Sequence, residues 1–125
     1  MIGYVTLGTN DLEKAAKFYD ELFAEMGGKR FMEMETFIAW VVAPGKPGLG
    51  ITKPFDGNPA TVGNGTMVAL EATSKEDVQK IYNKAIELGA QDEGKPGPRG
   101  DDGFYAGYFR DLDGNKLNVF YYQIG

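Results

Sequence analysis

The chain repeats itself at an offset of 63 residues, and a fold for it has to accommodate two copies of one unit. Tyr4-Val5-Thr6-Leu7 corresponds to Met67-Val68-Ala69-Leu70, Asn10 to Thr73, Glu13 to Glu76, and Phe18-Tyr19 to Ile81-Tyr82. In the first copy Ile2–Leu7 is a β-branched and aromatic run that reads as a strand. Asn10 is placed to cap a helix with Glu13 three residues on, and Leu12, Ala15, Ala16, Tyr19, Leu22 and Phe23 recur at helical spacing. Gly27-Gly28 stops that helix, after which Phe31–Glu35, Phe37–Ala43 and Leu49–Thr52 read as strands. The second copy has a strand at Thr66–Ala72, a Thr73/Glu76 capping box, and a stripe of Val78, Ile81, Tyr82, Ala85 and Leu88 closed by Gly89. A weak strand at Ala90–Glu93 and strong ones at Phe104–Arg110 and Lys116–Tyr122 follow, the last two joined through Asp113-Gly114-Asn115.

Each half therefore reads β-α-β-β-β, an α+β architecture of two pseudo-symmetric modules. The expected organisation is a single domain over 1–125, with module 1 at 1–55, a linker at 56–65 and module 2 at 66–125. The linker falls in the Pro-, Gly- and Asn-rich stretch Pro54–Gly65, and Gly94–Gly103 is expected to be a loop inside the second module.

Two absences narrow the chemistry. With no cysteine there is no thiolate nucleophile, disulfide or iron–sulfur cluster; with no histidine, the usual base near neutral pH and the commonest transition-metal ligand are missing. A net charge of -5 and scattered basic residues argue against a nucleic-acid partner and mildly favour a small cationic one. No run approaches the length of a membrane span, and the amino terminus has no signal-type pattern, so a cytoplasmic protein is expected. Arg99-Gly100-Asp101 is read as a chance match to an adhesion tripeptide, and the glycines at 63 and 65 do not form a phosphate loop.

The helix opening on Asp11–Tyr19 (DLEKAAKFY) and the closing stretch Arg110–Leu117 (RDLDGNKL), combined with the internal repeat, resemble the vicinal oxygen chelate superfamily. This is the group of glyoxalase I, bleomycin-resistance proteins and extradiol dioxygenases. The resemblance spans the whole chain. It implies that the modules form a curved mixed sheet with a cleft between the halves, where relatives hold a divalent metal on His or Gln and Glu ligands. It also implies a homodimer. Carried over by position, the metal sites fall on Tyr4, Met67 and Asn118, with the fourth on Thr52 or Gly50. A thioether, a phenol and an amide suit a hard or borderline dication poorly, so no metal cofactor is expected here.

Strand alternation from those positions gives a set of candidate ligand-binding residues: Tyr4, Thr6, Thr52, Met67, Ala69, Glu71, Tyr105, Asn118 and Phe120. Tyr122 shares the face of Phe120, and Tyr105 and Tyr108 stand on opposite faces of one strand. Glu71 is the candidate catalytic carboxylate or countercharge, and Arg110 is expected to pair with Asp111 or Asp113. The leading expectation is a binder of a small organic molecule rather than an enzyme. Its rivals are a lyase, isomerase or dioxygenase-type enzyme with a reorganised site, and an assembly protein whose cavity is filled by Met67, Phe120 and Tyr122.

Overall fold

The computed structural model describes residues 1–123. The chain divides into two compact units, residues 1–62 and the part from Gly63 onward. The first contains β1 (Tyr4–Gly8), α1 (Leu12–Ala24), β2 (Lys29–Glu33), β3 (Phe37–Val41) and β4 (Gly48–Thr52). The second contains β5 (Val68–Glu71), α2 (Lys75–Glu87), β6 (Gln91–Pro98), β7 (Phe104–Arg110) and β8 (Lys116–Tyr122). The α+β class and the two βαβββ modules are thus present. The described residues form two four-stranded mixed sheets, one in each module, ordered β1-β4-β3-β2 and β5-β8-β7-β6. These orders are the same order in each copy, with β1 parallel to β4, β5 parallel to β8, and the remaining pairs antiparallel.

Both helices start and stop 63 positions apart, so the repeat is carried by the structure through the whole helix. Their caps lie one residue later than the sequence suggests. Asp11 accepts from the Lys14 amide, and Ser74 accepts from the Asp77 amide. Asn10, expected as the cap, instead exchanges hydrogen bonds with the backbone of Ala60, accepting at 2.7 Å and donating at 3.3 Å. Part of the linker is thereby laid back on the first unit. Thr73 gives both its amide and its hydroxyl to Asp77 Oδ2, which completes the turn before α2.

In unit 1 the apolar stripe of α1 covers one face of its sheet. Leu12, Ala15, Ala16, Phe18, Tyr19, Leu22 and Phe23 are buried, as are Leu7, Ile38, Trp40, Leu49 and Ile51 on the strands. The Tyr19 ring lies 5.2 Å from Phe23 and 5.7 Å from Trp40, an aromatic centre for this core. At its edge, Asp20 accepts from Arg30 Nε at 2.8 Å, Arg30 Nη2 at 2.7 Å and Trp40 Nε1 at 2.9 Å, tying α1 to β2 and β3. Unit 2 repeats the plan with Val78, Ile81, Tyr82 and Ala85 against Phe109, Leu117 and Val119. Here Tyr82 donates its hydroxyl to Asp92, which also accepts from the Gly94 amide.

These two ties make the stability of the fold depend on pH at both ends of the range. The hydrogen bonds from Arg30 hold the Asp20 carboxyl below the ordinary value, desolvation opposing them and Trp40 adding to them. A carboxylate whose folded pKa is lowered contributes stability above its unfolded pKa, and that contribution is lost as pH falls through the folded value. Burial, with the Asp92 hydrogen bond, pushes the Tyr82 phenol up to about 12. Its contribution is full below the unfolded value of 10.0 and is lost as pH rises toward 12. Thermal denaturation across pH should therefore show a loss of stability above pH 10 that shrinks in Tyr82→Phe, while the acid limb shrinks in Asp20→Asn.

The Gly94–Gly103 segment, expected as a loop, is ordered as β6 up to Pro98. Register shifts between Asp92 and Gly94 and between Gly94 and Gly97 let Pro and Gly join an edge strand that strict alternation would exclude. Arg99 then caps the carbonyls of Lys95, Gly97 and Pro98. No helix among the described residues is long and apolar enough to cross a membrane.

Candidate functional site

With α1 on one side, the other side of the first sheet is left open. Tyr4, Thr6 and Gly8 of β1 stand beside Gly48, Gly50 and Thr52 of β4, and Phe37 and Ala39 of β3 pair with Thr52 and Gly50. Tyr4 is 61% exposed. The glycines exist for their neighbours: a Cβ on Gly50 would stand 2.4 Å from Phe37 Cε2, and one on Gly48 would stand 2.8 Å from Phe31 Cε1. Two aromatic rings therefore lie against β4, and Tyr4 and Phe37 meet edge to face with centroids 6.2 Å apart. Phe31 is the extra residue at the bulge between Arg30 and Met32, which explains its escape from the alternation of β2. The Thr52 hydroxyl lies against the carbonyls of Thr36 at 3.2 Å and Lys53 at 2.9 Å, which commits it to backbone.

On the second sheet the face away from α2 is partly open, with Ala106 and Asn118 buried, Phe104, Tyr108 and Phe120 half-buried, and Ala69 and Glu71 exposed. Ala69 and Glu71 of β5 pair with Asn118 and Phe120 of β8, which in turn face Tyr108 and Ala106 of β7; Phe104 faces Tyr122. Met67 precedes β5 and is 40% exposed. Phe104 stacks on Phe120 with centroids 5.6 Å apart and planes 19° from parallel, and meets the Tyr122 ring edge-on at 6.1 Å. Asn118 is buried, and its Oδ1 has no hydrogen-bond partner among the described residues. Such an orphan acceptor is uncommon in folded proteins and calls for an explanation.

Of the residues expected to line a site, Tyr4, Thr6 and Thr52 thus share the open face of the first sheet, and Ala69, Glu71, Asn118 and Phe120 that of the second. Tyr105 does not join them. Its side chain lies on the α2 face, where its hydroxyl accepts from Gln79 Nε2 at 2.7 Å and Lys75 Nζ sits 5.7 Å from the ring. Tyr108 takes that place instead, flanked by Arg99 at 5.4 Å and Lys116 at 5.6 Å. Arg110 pairs with Glu93 at 2.9 Å and donates to the Gly114 carbonyl, not to Asp111 or Asp113. Phe31, Phe37, Phe104 and Tyr108 were not among the expected residues. Glycines at 48 and 50 within an apolar strand were the available sign that rings approach it closely.

A family model described as the Glyoxalase/Bleomycin resistance protein/Dioxygenase superfamily matches residues 1–119. The chain belongs to this superfamily. A glyoxalase/bleomycin resistance protein from Albidiferax ferrireducens T118 is 35% identical, with 97% of this chain and 98% of that one covered at a TM-score of 0.88. A glyoxalase/bleomycin resistance protein/dioxygenase family enzyme from Burkholderia phytofirmans PsJN is 18% identical over 97% and 98% of the two chains, at a TM-score of 0.76. Lactoylglutathione lyase from Agrobacterium tumefaciens is 22% identical over 97% and 92%, at 0.71. The last two likenesses are of fold alone. No protein of curated function matches the sequence.

As a superfamily member the chain can be tested for the divalent ion of its relatives. The positions expected from the sequence resemblance to hold that ion carry a phenol at Tyr4, a thioether at Met67, an amide at Asn118 and a hydroxyl at Thr52. Thr52 is committed to carbonyls, and Gly50, the alternative fourth position, has no donor and lies under Phe37. Among the described residues no three or more of His, Cys, Asp and Glu come together as a metal-binding group. This donor set does not fit a hard or borderline dication, which needs anionic oxygen or imidazole ligands to offset its charge and dehydration.

Proposed function

We propose that this member of the glyoxalase/bleomycin resistance superfamily binds a small organic molecule on its open sheet faces and does so without a metal ion. The observation behind the reading is Asn118, a neutral amide at a position the resemblance assigns to a metal ligand, whose buried oxygen has no partner among the described residues. Around it the exposed or half-exposed groups are aromatic and apolar with few polar atoms, the composition of small-molecule sites. In this reading the protein works as a cytoplasmic homodimer, with no nucleic-acid or membrane partner.

A thermal-shift screen of small organic molecules of all charge types tests the proposal. A ligand at about 100 times its Kd adds roughly 2.7 kcal/mol, a rise easily read in Tm. Stabilisation by at least one class of compound, undiminished by chelator, is the expected result. Stabilisation by none would favour a filled face that serves assembly. Turnover of the methylglyoxal–glutathione hemithioacetal, abolished in Glu71→Gln, would replace the binder by a lyase.

A further inference from the structure

The cations around the open face of the second sheet are already engaged, while two of its acceptors are not. Arg110 is held by Glu93 and the Gly114 carbonyl. Arg99 gives its guanidinium to three carbonyls and to the Tyr108 ring, on which Lys116 also rests. Asn118 Oδ1, by contrast, has no donor among the described residues. Glu71 is exposed, and its carboxylate enters no ion pair or hydrogen bond among the described residues. Asn118 and Phe120 are two residues apart on one face of β8, and Glu71 is the register partner of Phe120 on the neighbouring strand. Adjacent strands lie about 4.8 Å apart, so the carboxylate stands within reach of the Phe104–Phe120 stack.

Resting on the reading that this protein binds a small organic molecule, we infer that its ligand is a planar organic cation rich in N–H donors. The class is that of aromatic amidines, guanidines and protonated aromatic amines. The ring lies on Phe120 and Phe104 with Tyr122 at the edge, the positive group meets Glu71, and an N–H reaches the Asn118 amide oxygen. Three independent features agree on that polarity. A cation is drawn to aromatic faces by their quadrupole, the ionised Glu71 carboxylate can only accept and the Asn118 oxygen offers an acceptor beside it, and the net charge of -5 raises the local concentration of cations. Donation to Asn118 also removes the desolvation penalty that its oxygen bears in the unliganded fold.

Calorimetric titration of the full chain with benzamidine, benzamide and benzoate, three probes of one shape and different charge, tests the inference. Benzamidine is expected to bind at least about fivefold more tightly than benzamide, and benzoate to give no saturable heat. In Glu71→Gln the benzamidine affinity is expected to fall about fivefold toward that of benzamide, with benzamide unchanged. The exposed position of Glu71 means that the variant keeps its Tm. Equal affinity for benzamidine and benzamide, or no response to Glu71→Gln, overturns the cationic ligand. Absence of heat with all three probes overturns it as well, and stabilisation by a neutral or anionic compound in the wider screen would then leave the binding function standing.

Discussion

Replacing Asp111 by Ala is expected to destabilise the protein by about 3 kcal/mol, a drop in Tm of about 10 °C. Asp111 is buried and accepts from the amides of Asp113 and Asn115, each at 2.9 Å, and from Asn115 Nδ2 at 3.0 Å. The Asp111 amide in turn donates to the Asn115 carbonyl at 2.9 Å. One carboxylate thus organises the whole β7–β8 turn, and its removal leaves a buried amide and a buried side-chain NH2 short of an acceptor. Urea denaturation measures the loss. Asp111→Asn, which keeps an amide oxygen for the two backbone donors, is expected to lose less than half as much. The stretch Arg110–Leu117 that marks the family is therefore accounted for locally as a turn, without recourse to ligand chemistry.

Asn118→Leu is expected to act in the opposite direction, raising stability by about 1 to 3 kcal/mol while removing ligand binding. A side chain of similar volume replaces an amide whose oxygen is desolvated without compensation, so the penalty of the orphan disappears. In a chain of this size that is a rise of roughly 3 to 10 °C, read by differential scanning calorimetry. Most core substitutions destabilise, which makes the sign of the change informative. A fall in Tm would mean that Asn118 is satisfied in solution and that its oxygen is not held for a ligand.

The helices and the repeat were legible because they rest on periodicities that need no tertiary knowledge. The stripes from Leu12 to Phe23 and from Val78 to Ala85 became the two buried faces, and the offset of 63 carried over to both helix boundaries. The caps missed by one residue because Asn10 and Asp11, like Thr73 and Ser74, are both good capping types. Only the demand of Ala60 for a partner assigns Asn10 elsewhere. The β6 strand was hidden by its Pro and Gly, whose cost is absorbed in bulges that depend on β7. Tyr105 and Tyr108 could be placed on opposite faces but not on named ones, since that choice follows from Tyr108 facing Asn118 across the β7–β8 ladder. The unpartnered oxygen of Asn118 was not legible at all. Hydrogen-bond satisfaction is a property of the surroundings, and no sequence pattern encodes it.

The proposed function requires that this superfamily member bind its ligand without a metal ion. Titration of tag-free protein with nickel, zinc, manganese and iron(II), followed by calorimetry and by Tm, addresses this most directly. The predicted result is no saturable stoichiometric heat and no metal-dependent rise in Tm, in the parent chain and in Asn118→Leu alike. Tight one-to-one binding of any of these ions, abolished by Asn118→Leu, would contradict it.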